Sequence, residues 1–388
     1  MTEAIFDRFQ VIDIDTHLTE PADTWTSRLA SKWGDRVPHI VQHEGRDLWM
    51  AGSEIVGMPG AYSMAGHTGT PPDFPAGYHE IPDAMYDATA RLAFMDEEKI
   101  HAQVLYPNVG GFGSGSFRKL GDPELVLDCV RGYNDFLLEW CAADPNRLKG
   151  VAAMPFWDID ACVQEIQRCA GLGYKAILMC NQPQDHGQPL LRDKHWDPYW
   201  AAAQECGMTV SFHVGGGELS EVTEDPANIG FKANFARASV LAFVDNAKSM
   251  LDLITGGVPH RFPKLKLVSV ESGVGWIPFL LEALDWQWKN NGVAGEHPEY
   301  DLLPSEYFRR QIYASFWFEE EGIPAILERY PENILYETDY PHPTCQAPGP
   351  VSAGTNPRLY AEQVLAGVSE PTLQKVLHDT AADLYGIA

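Results

Sequence analysis

The sequence predicts a single α/β domain over residues 1–388, folded as a (β/α)8 TIM barrel. Eight apolar segments have the length of buried strands, and segments with helical periodicity alternate with them. Alternating strands and helices form a parallel sheet, and eight such units close into a barrel. A chain of 388 residues, 45% of them hydrophobic, can fill one barrel of this size, and no low-complexity linker divides it.

The predicted elements follow one another regularly after the first strand. The strands are expected at residues 11–15, 101–107, 148–155, 175–180, 208–213, 265–271, 311–316 and 333–339. Helices are expected at about 84–99, 122–143, 159–172, 196–206, 234–256, 276–290 and 319–329, and further helices end the chain. This order is typical of a barrel whose helices surround its strands.

A long insertion, residues 40–82, interrupts this rhythm after the first strand. It is rich in glycine and proline, and residues 47–52 are typical of one arm of a hairpin. An ordered excursion at this place is either an active-site lid or a surface loop without a role. As a lid, it would cover an apolar substrate with Trp49, Met50 and Met58.

Composition narrows the class of partner. The net charge is −26 and the pI is near 4.7, which argues against binding to nucleic acid or to an anionic membrane. The seven cysteines include no CxxC pair and indicate reduced thiols. No signal segment or membrane-spanning run is evident, so we expect a cytoplasmic protein that acts on a small molecule.

The first strand carries polar groups on alternate residues. Asp13, Asp15 and His17 should share one face, because successive side chains of a strand point to opposite sides. Burying three such groups is costly unless something pairs with them. A metal ion is the simplest partner, since carboxylate and imidazole are both common ligands.

Further polar side chains follow other predicted strands. They are His213 after strand 5, Glu271 after strand 6 and Asp339 after strand 8. Taken singly, such a histidine is more often a hydrogen-bonded core residue, and such an aspartate is more often a helix cap. In a barrel, however, the carboxyl ends of all strands meet at one mouth. Two carboxylates and two imidazoles, from Asp15, His17, His213 and Asp339, therefore predict a site for zinc, manganese or iron.

Several segments resemble the amidohydrolase superfamily, in the branch that contains aminocarboxymuconate semialdehyde decarboxylase and resorcylate-type decarboxylases. The resemblance covers nearly the whole chain and rests on residues 12–17, 91–96, 103–107, 144–147, 212–215, 260–263 and 336–342. The first and last of these segments are the most specific. The resemblance implies a metal-bearing (β/α)8 barrel and an enzyme, and homodimers are common among such proteins.

The resemblance also assigns expected ligands. The first strand of these proteins usually carries His-x-His, and here Asp15 replaces the first histidine while His17 is the second. His213 and Asp339 fall on the strand-5 and strand-8 ligands. Strand 4 ends at Cys180 without a lysine that could bridge two ions, which implies a single metal.

The predicted activity is hydrolysis of an amide, ester or thioester bond by a metal-activated water. Asp339 would accept the proton of the water, Glu271 would act as general acid or base, and His342 would support a ligand or contact the substrate. The alternative is non-oxidative decarboxylation of an aromatic or unsaturated acid. The sequence favours hydrolysis, because Glu271 stands where related decarboxylases often carry a histidine.

A second alternative is oxygen chemistry at two iron or manganese ions, with Glu271, Asp15 and His342 as additional ligands. The expected cofactor is a divalent ion, with zinc preferred, manganese or iron as alternatives, and one ion or two.

Overall fold

The computed structural model describes residues 3–111, 115–217, 227–346, 349 and 354–388. Its strands are β1 Val11–His17, β2 His39–His43, β3 Arg46–Ala51, β4 Glu54–Gly57, β5 Ile100–Tyr106, β6 Leu148–Ala152, β7 Ala176–Leu178, β8 Thr209–His213, β9 Lys266–Val270, β10 Ile312–Phe316 and β11 Ile334–Tyr336.

Eight of these strands form one parallel sheet in the order β1-β5-β6-β7-β8-β9-β10-β11. The two ends of the sheet meet just beyond β11. There the amide of Asp339 donates to the carbonyl of Asp15 at 3.0 Å, and the amide of His17 donates to the carbonyl of Tyr340 at 2.7 Å. The predicted (β/α)8 barrel is confirmed, and three candidate site residues, Asp15, His17 and Asp339, lie on its closing seam.

Helices cover the outside of the barrel in the predicted order. They are α1 Ile5–Arg8, α2 Thr26–Trp33, α3 Ala88–Glu98, α4 Pro123–Cys141, α5 Ile159–Leu172, α6 Asp197–Glu205, α7 Phe231–Thr255, α8 Val258–Arg261, α9 Trp276–Asn290, α10 Val293–Glu296, α11 Pro304–Gln311, α12 Ile323–Arg329, α13 Pro357–Val364, α14 Glu370–Gln374 and α15 Thr380–Tyr385. A π-helical turn, Lys375–Asp379, joins the last two. In the described part of the chain, no helix combines the length and apolar character needed to cross a membrane.

The C-terminal residues close the amino end of the barrel. Leu384, Tyr385 and Ile387 pack with the inward side chains of the strands. Thr209, the first residue of β8, donates to the carbonyl of Leu384 at 3.0 Å. With that end filled, the carboxyl ends of the strands are the open mouth at which a site can form.

The insertion contains more regular structure than the predicted hairpin arm. Strands β2, β3 and β4 form an antiparallel sheet, with Trp49 opposite Ile40 on one side and Gly57 on the other. Trp49 is fully buried and packs edge-to-face on Trp25, with ring centroids 5.4 Å apart. The expectation that Trp49 covers a substrate is therefore wrong, because its side chain belongs to the core.

Candidate metal centre

The barrel brings the four predicted ligands together at its mouth. Asp15 and His17 lie at the end of β1, His213 ends β8, and Asp339 follows β11; all four side chains are fully buried. The Nε2 atoms of His17 and His213 are 3.1 Å apart. His213 Nε2 is 3.5 Å from Asp15 Oδ2, and His17 Nε2 is 3.6 Å from Asp339 Oδ1. Two imidazole nitrogens and two carboxylates thus converge on one small volume.

Both histidines have the form that binds metals. His213 Nδ1 is 2.8 Å from the carbonyl of Val214 and donates to it, which leaves the lone pair of Nε2 directed into the cluster. Burial lowers the pKa of His213 to about 4. Burial and the neighbouring His342 and His213 rings lower the pKa of His17 well below its ordinary value. Both rings are therefore neutral at physiological pH.

The carboxylates of this cluster need a cation. Both side-chain oxygens of Asp15 are buried, and neither accepts a hydrogen bond from the described residues. Burial, followed by the charges of Asp339 and Asp13, raises the pKa of Asp15 well above its ordinary value. No lysine or arginine in the described part of the chain forms an ion pair with Asp15 or Asp339. A divalent metal ion fits this donor set, because it would supply the missing positive charge.

Glu271 extends the cluster toward solvent. It follows β9, its Oε2 is 3.3 Å from His213 Nε2, and carboxylate atoms of Glu271, Asp15 and Asp339 lie within 4.8 Å of one another. Burial, followed by the charges of Asp339 and Asp15, raises the pKa of Glu271 well above its ordinary value. The direction of this shift favours the protonated form of the Glu271 carboxyl group.

Glu337 is a fifth buried acid that the sequence analysis did not assign. Its Oε2 accepts from the amide of Glu271 at 3.3 Å, and its Oε1 has no hydrogen-bond partner among the described residues. Glu337 precedes Asp339 by two residues. The alternation that singled out Asp13, Asp15 and His17 in β1 would have found it.

The backbone is strained at two of these acids. Glu271 has φ 56° and Asp339 has φ 57°, the left-handed region that non-glycine residues rarely adopt. Such a conformation costs roughly 1–3 kcal/mol and persists only where the surrounding structure enforces it. In both residues it occurs where the chain turns from the strand into the mouth and directs the carboxylate toward the cluster.

His342 lies against the cluster and is held from two sides. Its ring stacks on that of His17, with centroids 3.6 Å apart and planes inclined by 21°. Its Nδ1 is 2.9 Å from Asp339 Oδ1, and its Nε2 donates to Asn108 Oδ1 at 2.8 Å. The amide of Asn108 is itself oriented, because Nδ2 donates to the carbonyl of Leu18 at 2.7 Å. Asn108 was not found in the sequence analysis, since no local pattern distinguishes it.

Asp13 has a different role from its neighbours on β1. Its carboxylate accepts from the amide of Thr338 at 2.9 Å and from the hydroxyl of Thr338 at 2.6 Å. Gln103 donates to the same carboxylate at 3.3 Å. Asp13 therefore links β1 to the segment after β11 across the closing seam. The prediction that Asp13 shares a face with Asp15 and His17 is wrong, because a register irregularity between Asp13 and Thr16 interrupts the alternation of the strand.

A cavity of about 710 Å³ lies above the cluster, and Glu271 and His342 form part of its wall. The insertion contributes Met58, Tyr62 and Phe74, and α7 contributes a largely apolar face. Met58 lines this cavity, and its role in covering an apolar substrate stays a prediction. Met50 instead lies in β3, opposite His39 and Ile55.

The sequence profile of the amidohydrolase family Amidohydro_2 matches residues 12–387. The chain belongs to the amidohydrolase family. This amidohydrolase is 27% identical to gamma-resorcylate decarboxylase of Rhodococcus jostii over 262 residues, which are 65% of this chain and 76% of that protein. Gamma-resorcylate decarboxylase of Rhizobium radiobacter is 26% identical over 273 residues, with the same coverage of both chains.

Solved structures share the fold. An amidohydrolase from Mycobacterium avium subsp. paratuberculosis superimposes with a TM-score of 0.72 and 24% identity, covering 97% of this chain and 99% of that one. The 5-carboxyvanillate decarboxylase of Novosphingobium aromaticivorans, complexed with manganese and 4-hydroxy-3-methoxy-5-nitrobenzoic acid, gives a TM-score of 0.66 and 19% identity, covering 97% and 96%. At these identities the comparison with solved structures establishes the barrel fold alone.

The predicted hydrolysis of acyl bonds is wrong for this amidohydrolase, because its sequence relatives are decarboxylases. The prediction depended on Glu271 occupying the position of a histidine. A glutamate at that position does not exclude decarboxylation, because burial raises the pKa of Glu271 and a protonated carboxyl group can donate a proton as a histidine can.

Proposed function

We propose that this amidohydrolase is a metal-dependent, non-oxidative decarboxylase of an aromatic or unsaturated carboxylic acid. The observation that carries the proposal is the position of Glu271. Its proton-holding carboxyl lies between the metal-ligand cluster and the substrate-sized cavity. The names of the sequence relatives support the same reaction.

Asp15, His17, His213 and Asp339 would hold one divalent ion. Such an ion would supply positive charge that binds and polarises the acidic oxygens of the substrate. Zinc and manganese both accept this mixture of oxygen and nitrogen donors. Asn181 lies just beyond β7, and its side-chain amide donates to Asn246 Oδ1 at 2.8 Å. The absence of a lysine at the end of β7 that could bridge a second ion supports a single ion.

Decarboxylation breaks the bond between the carboxylate carbon and the substrate carbon, and the electron pair stays on the substrate carbon. That carbon must then receive a proton as CO₂ leaves. Protonated Glu271 is placed to donate it, because its carboxyl group lies beside His213 and forms part of the cavity wall. Solvent at the cavity mouth would return the proton to Glu271 after the product leaves.

His342 would orient the reacting groups from the other side. Its contacts with Asp339 and Asn108 fix the ring over His17, so that its edge borders the cavity. The insertion would act as a cover, because Met58, Tyr62 and Phe74 form part of the cavity wall. Exclusion of water strengthens the electrostatic interactions of a buried carboxylate with its surroundings.

The test starts from protein purified without chelator and analysed for bound metals. The metal-replete enzyme is incubated with gamma-resorcylate, 5-carboxyvanillate and a panel of unsaturated acids, and CO₂ release is measured. We expect close to one divalent ion per chain and CO₂ release from at least one acid, both lost in His213→Ala. Metal-replete protein that releases no CO₂ from the panel but cleaves esters or amides would overturn the proposal.

A further inference from the structure

The cavity above the candidate metal centre adjoins a second cavity, which in turn adjoins a third. A second cavity of about 440 Å³ shares Phe235, Ser239, Phe243, Pro343 and Thr344 with the first. A third of about 430 Å³ shares six wall residues with the second, including Trp317 and Phe318. The second cavity, here called the tail channel, lies beside the first along α7, and the third lies beyond Trp317 and Phe318.

The wall that α7 contributes to the first cavity is mostly apolar and includes several small side chains. Along α7, Phe235, Ala238, Ser239 and Ala242 recur at helical spacing on the face that borders the first cavity. Small side chains at three of these positions leave space beside the helix. An added methylene or ring at any of them would narrow the passage.

Aromatic rings line the junction with the tail channel. Phe243 stacks on Phe318, with centroids 5.6 Å apart and planes inclined by 19°, and meets Trp317 edge-on at 5.5 Å. Phe318 is half exposed, although its ring is a large hydrophobic group. Rings held against one another with one face open offer a preorganised surface for an apolar chain or a second ring.

Charged groups occur along this path: Asp185 lines the first cavity, Glu320 lines the third, and two lysines have partners. Lys248 binds Asp245 at 2.7 Å on the rim of the first cavity, and Lys232 donates to Thr70 Oγ1 at 3.0 Å beside the second. Neither is needed to neutralise a charged tail. The first two cavities, whose walls along α7 are mostly apolar, therefore favour a ligand that is acidic at the metal centre and apolar along α7.

The space available exceeds what a one-ring acid needs. The first cavity alone, about 710 Å³, falls in the range of sites that enclose drug-sized ligands, roughly 300–1,000 Å³. A single-ring hydroxybenzoate would leave most of this volume, and all of the tail channel, unfilled.

We propose that the substrate is a carboxylic acid with a long apolar substituent, either an alkyl chain or a second ring, that extends along α7 into the tail channel. This inference rests on the proposed function, because it places the carboxylate of the substrate at the candidate metal centre. It adds a class of substrate that the small aromatic acids in the names of the relatives do not include.

The test measures binding rather than turnover. Metal-loaded enzyme is titrated calorimetrically with 2-hydroxybenzoate and with its butyl and octyl derivatives, substituted at ring carbon 4 or 5. Burial of each methylene should raise affinity about four-fold, so the octyl compounds should bind at least about 100-fold more tightly than the parent acid.

Two alanine-to-phenylalanine variants on α7 locate the effect. Ala242→Phe projects into the first cavity and should remove most of the affinity gained with chain length. Ala233→Phe lies on an exposed part of the same helix, outside the cavity walls, and should keep the full gain. Circular dichroism and thermal melting establish that both variants are folded.

An affinity that does not rise with chain length, or a rise that survives in Ala242→Phe, would overturn the inference. Its failure is separable from failure of the proposed function. Tight binding of the octyl acids without CO₂ release would contradict decarboxylation and leave the tail channel supported. CO₂ release from short acids, with no gain in affinity for longer ones, would support decarboxylation and contradict the tail channel.

Discussion

His342 connects a candidate ligand to the loop after β5. Its Nδ1 lies 2.9 Å from Asp339 Oδ1, while its Nε2 donates to Asn108 Oδ1. Two contacts fix Asn108 in turn: its side-chain Nδ2 donates to the carbonyl of Leu18, and its backbone amide donates to Glu20 Oε1 at 2.8 Å. The orientation of one imidazole at the site thus depends on a buried network that reaches the loop after β1.

Replacement of Asn108 tests this network. In Asn108→Ala, His342 loses its acceptor and its ring is free to rotate away from Asp339. We expect kcat to fall roughly 10–100-fold, the range typical when a hydrogen-bond partner behind a metal site is lost. The exposed Asn146→Ala serves as control. Unchanged kcat in Asn108→Ala would show that His342 needs no such support.

Replacement of a candidate ligand should remove the metal. In His213→Ala, elemental analysis should find a metal content well below one ion per chain, and metal affinity should fall by more than about 100-fold. The exposed His79→Ala should retain its metal. A metal-replete His213→Ala protein would exclude His213 from the ligand set.

Glu271→Gln separates proton transfer from metal binding. The amide keeps the size of the side chain but cannot donate an acidic proton, so CO₂ release should slow roughly 10²–10⁴-fold while the metal content stays constant. Single-turnover rates with metal-loaded protein provide the measurement. Loss of the ion would instead show that Glu271 is a ligand, and an unchanged rate would require a different proton donor.

Glu20 should make stability depend on pH. Its buried carboxyl has its pKa raised from 4.5 to about 7, chiefly by burial, so the folded protein holds the proton more tightly than the unfolded chain does. Stability should therefore fall as the pH rises from about 4.5 to about 7, with a contribution of about 3 kcal/mol from this group. Above about pH 7 the stabilising contribution of the protonated Glu20 is lost entirely.

Glu20→Gln removes this titration, since an amide oxygen can still accept from the amides of Asn108 and Val109. Urea unfolding of both proteins at pH 5 and pH 8 should show the variant gaining stability relative to the wild type at the higher pH. The exposed Glu205→Gln controls for net charge. An equal difference at both pH values would contradict the assignment.

Local patterns were sufficient to locate the candidate ligands. The alternation in β1 put Asp15 and His17 on one face, and the strand ends at His213 and Asp339 were readable from apolar runs followed by loop residues. The rule that a barrel gathers its strand ends then predicted one cluster. The structure places these four side chains together, and their role as ligands stays a prediction until the metal is measured.

Long-range packing produced what the sequence analysis missed. Asn108 orients His342 across 234 positions of sequence, and no local spacing indicates that pair. Trp49 was predicted to cover the substrate, but its side chain packs in the core against Trp25. The choice of hydrolysis failed at Glu271, because the identity of a residue does not reveal how far burial and neighbouring charges shift its pKa.

The sequence by itself determined the barrel, the order of its elements and the acidic and imidazole side chains that its mouth would collect. These features depend on periodicity and composition, which are properties of short segments. Only the tertiary structure decided which protons those side chains hold, how their backbones are strained and how much space lies above them. Those properties depend on burial and on distances between residues far apart in the chain, and they set the chemistry of the site.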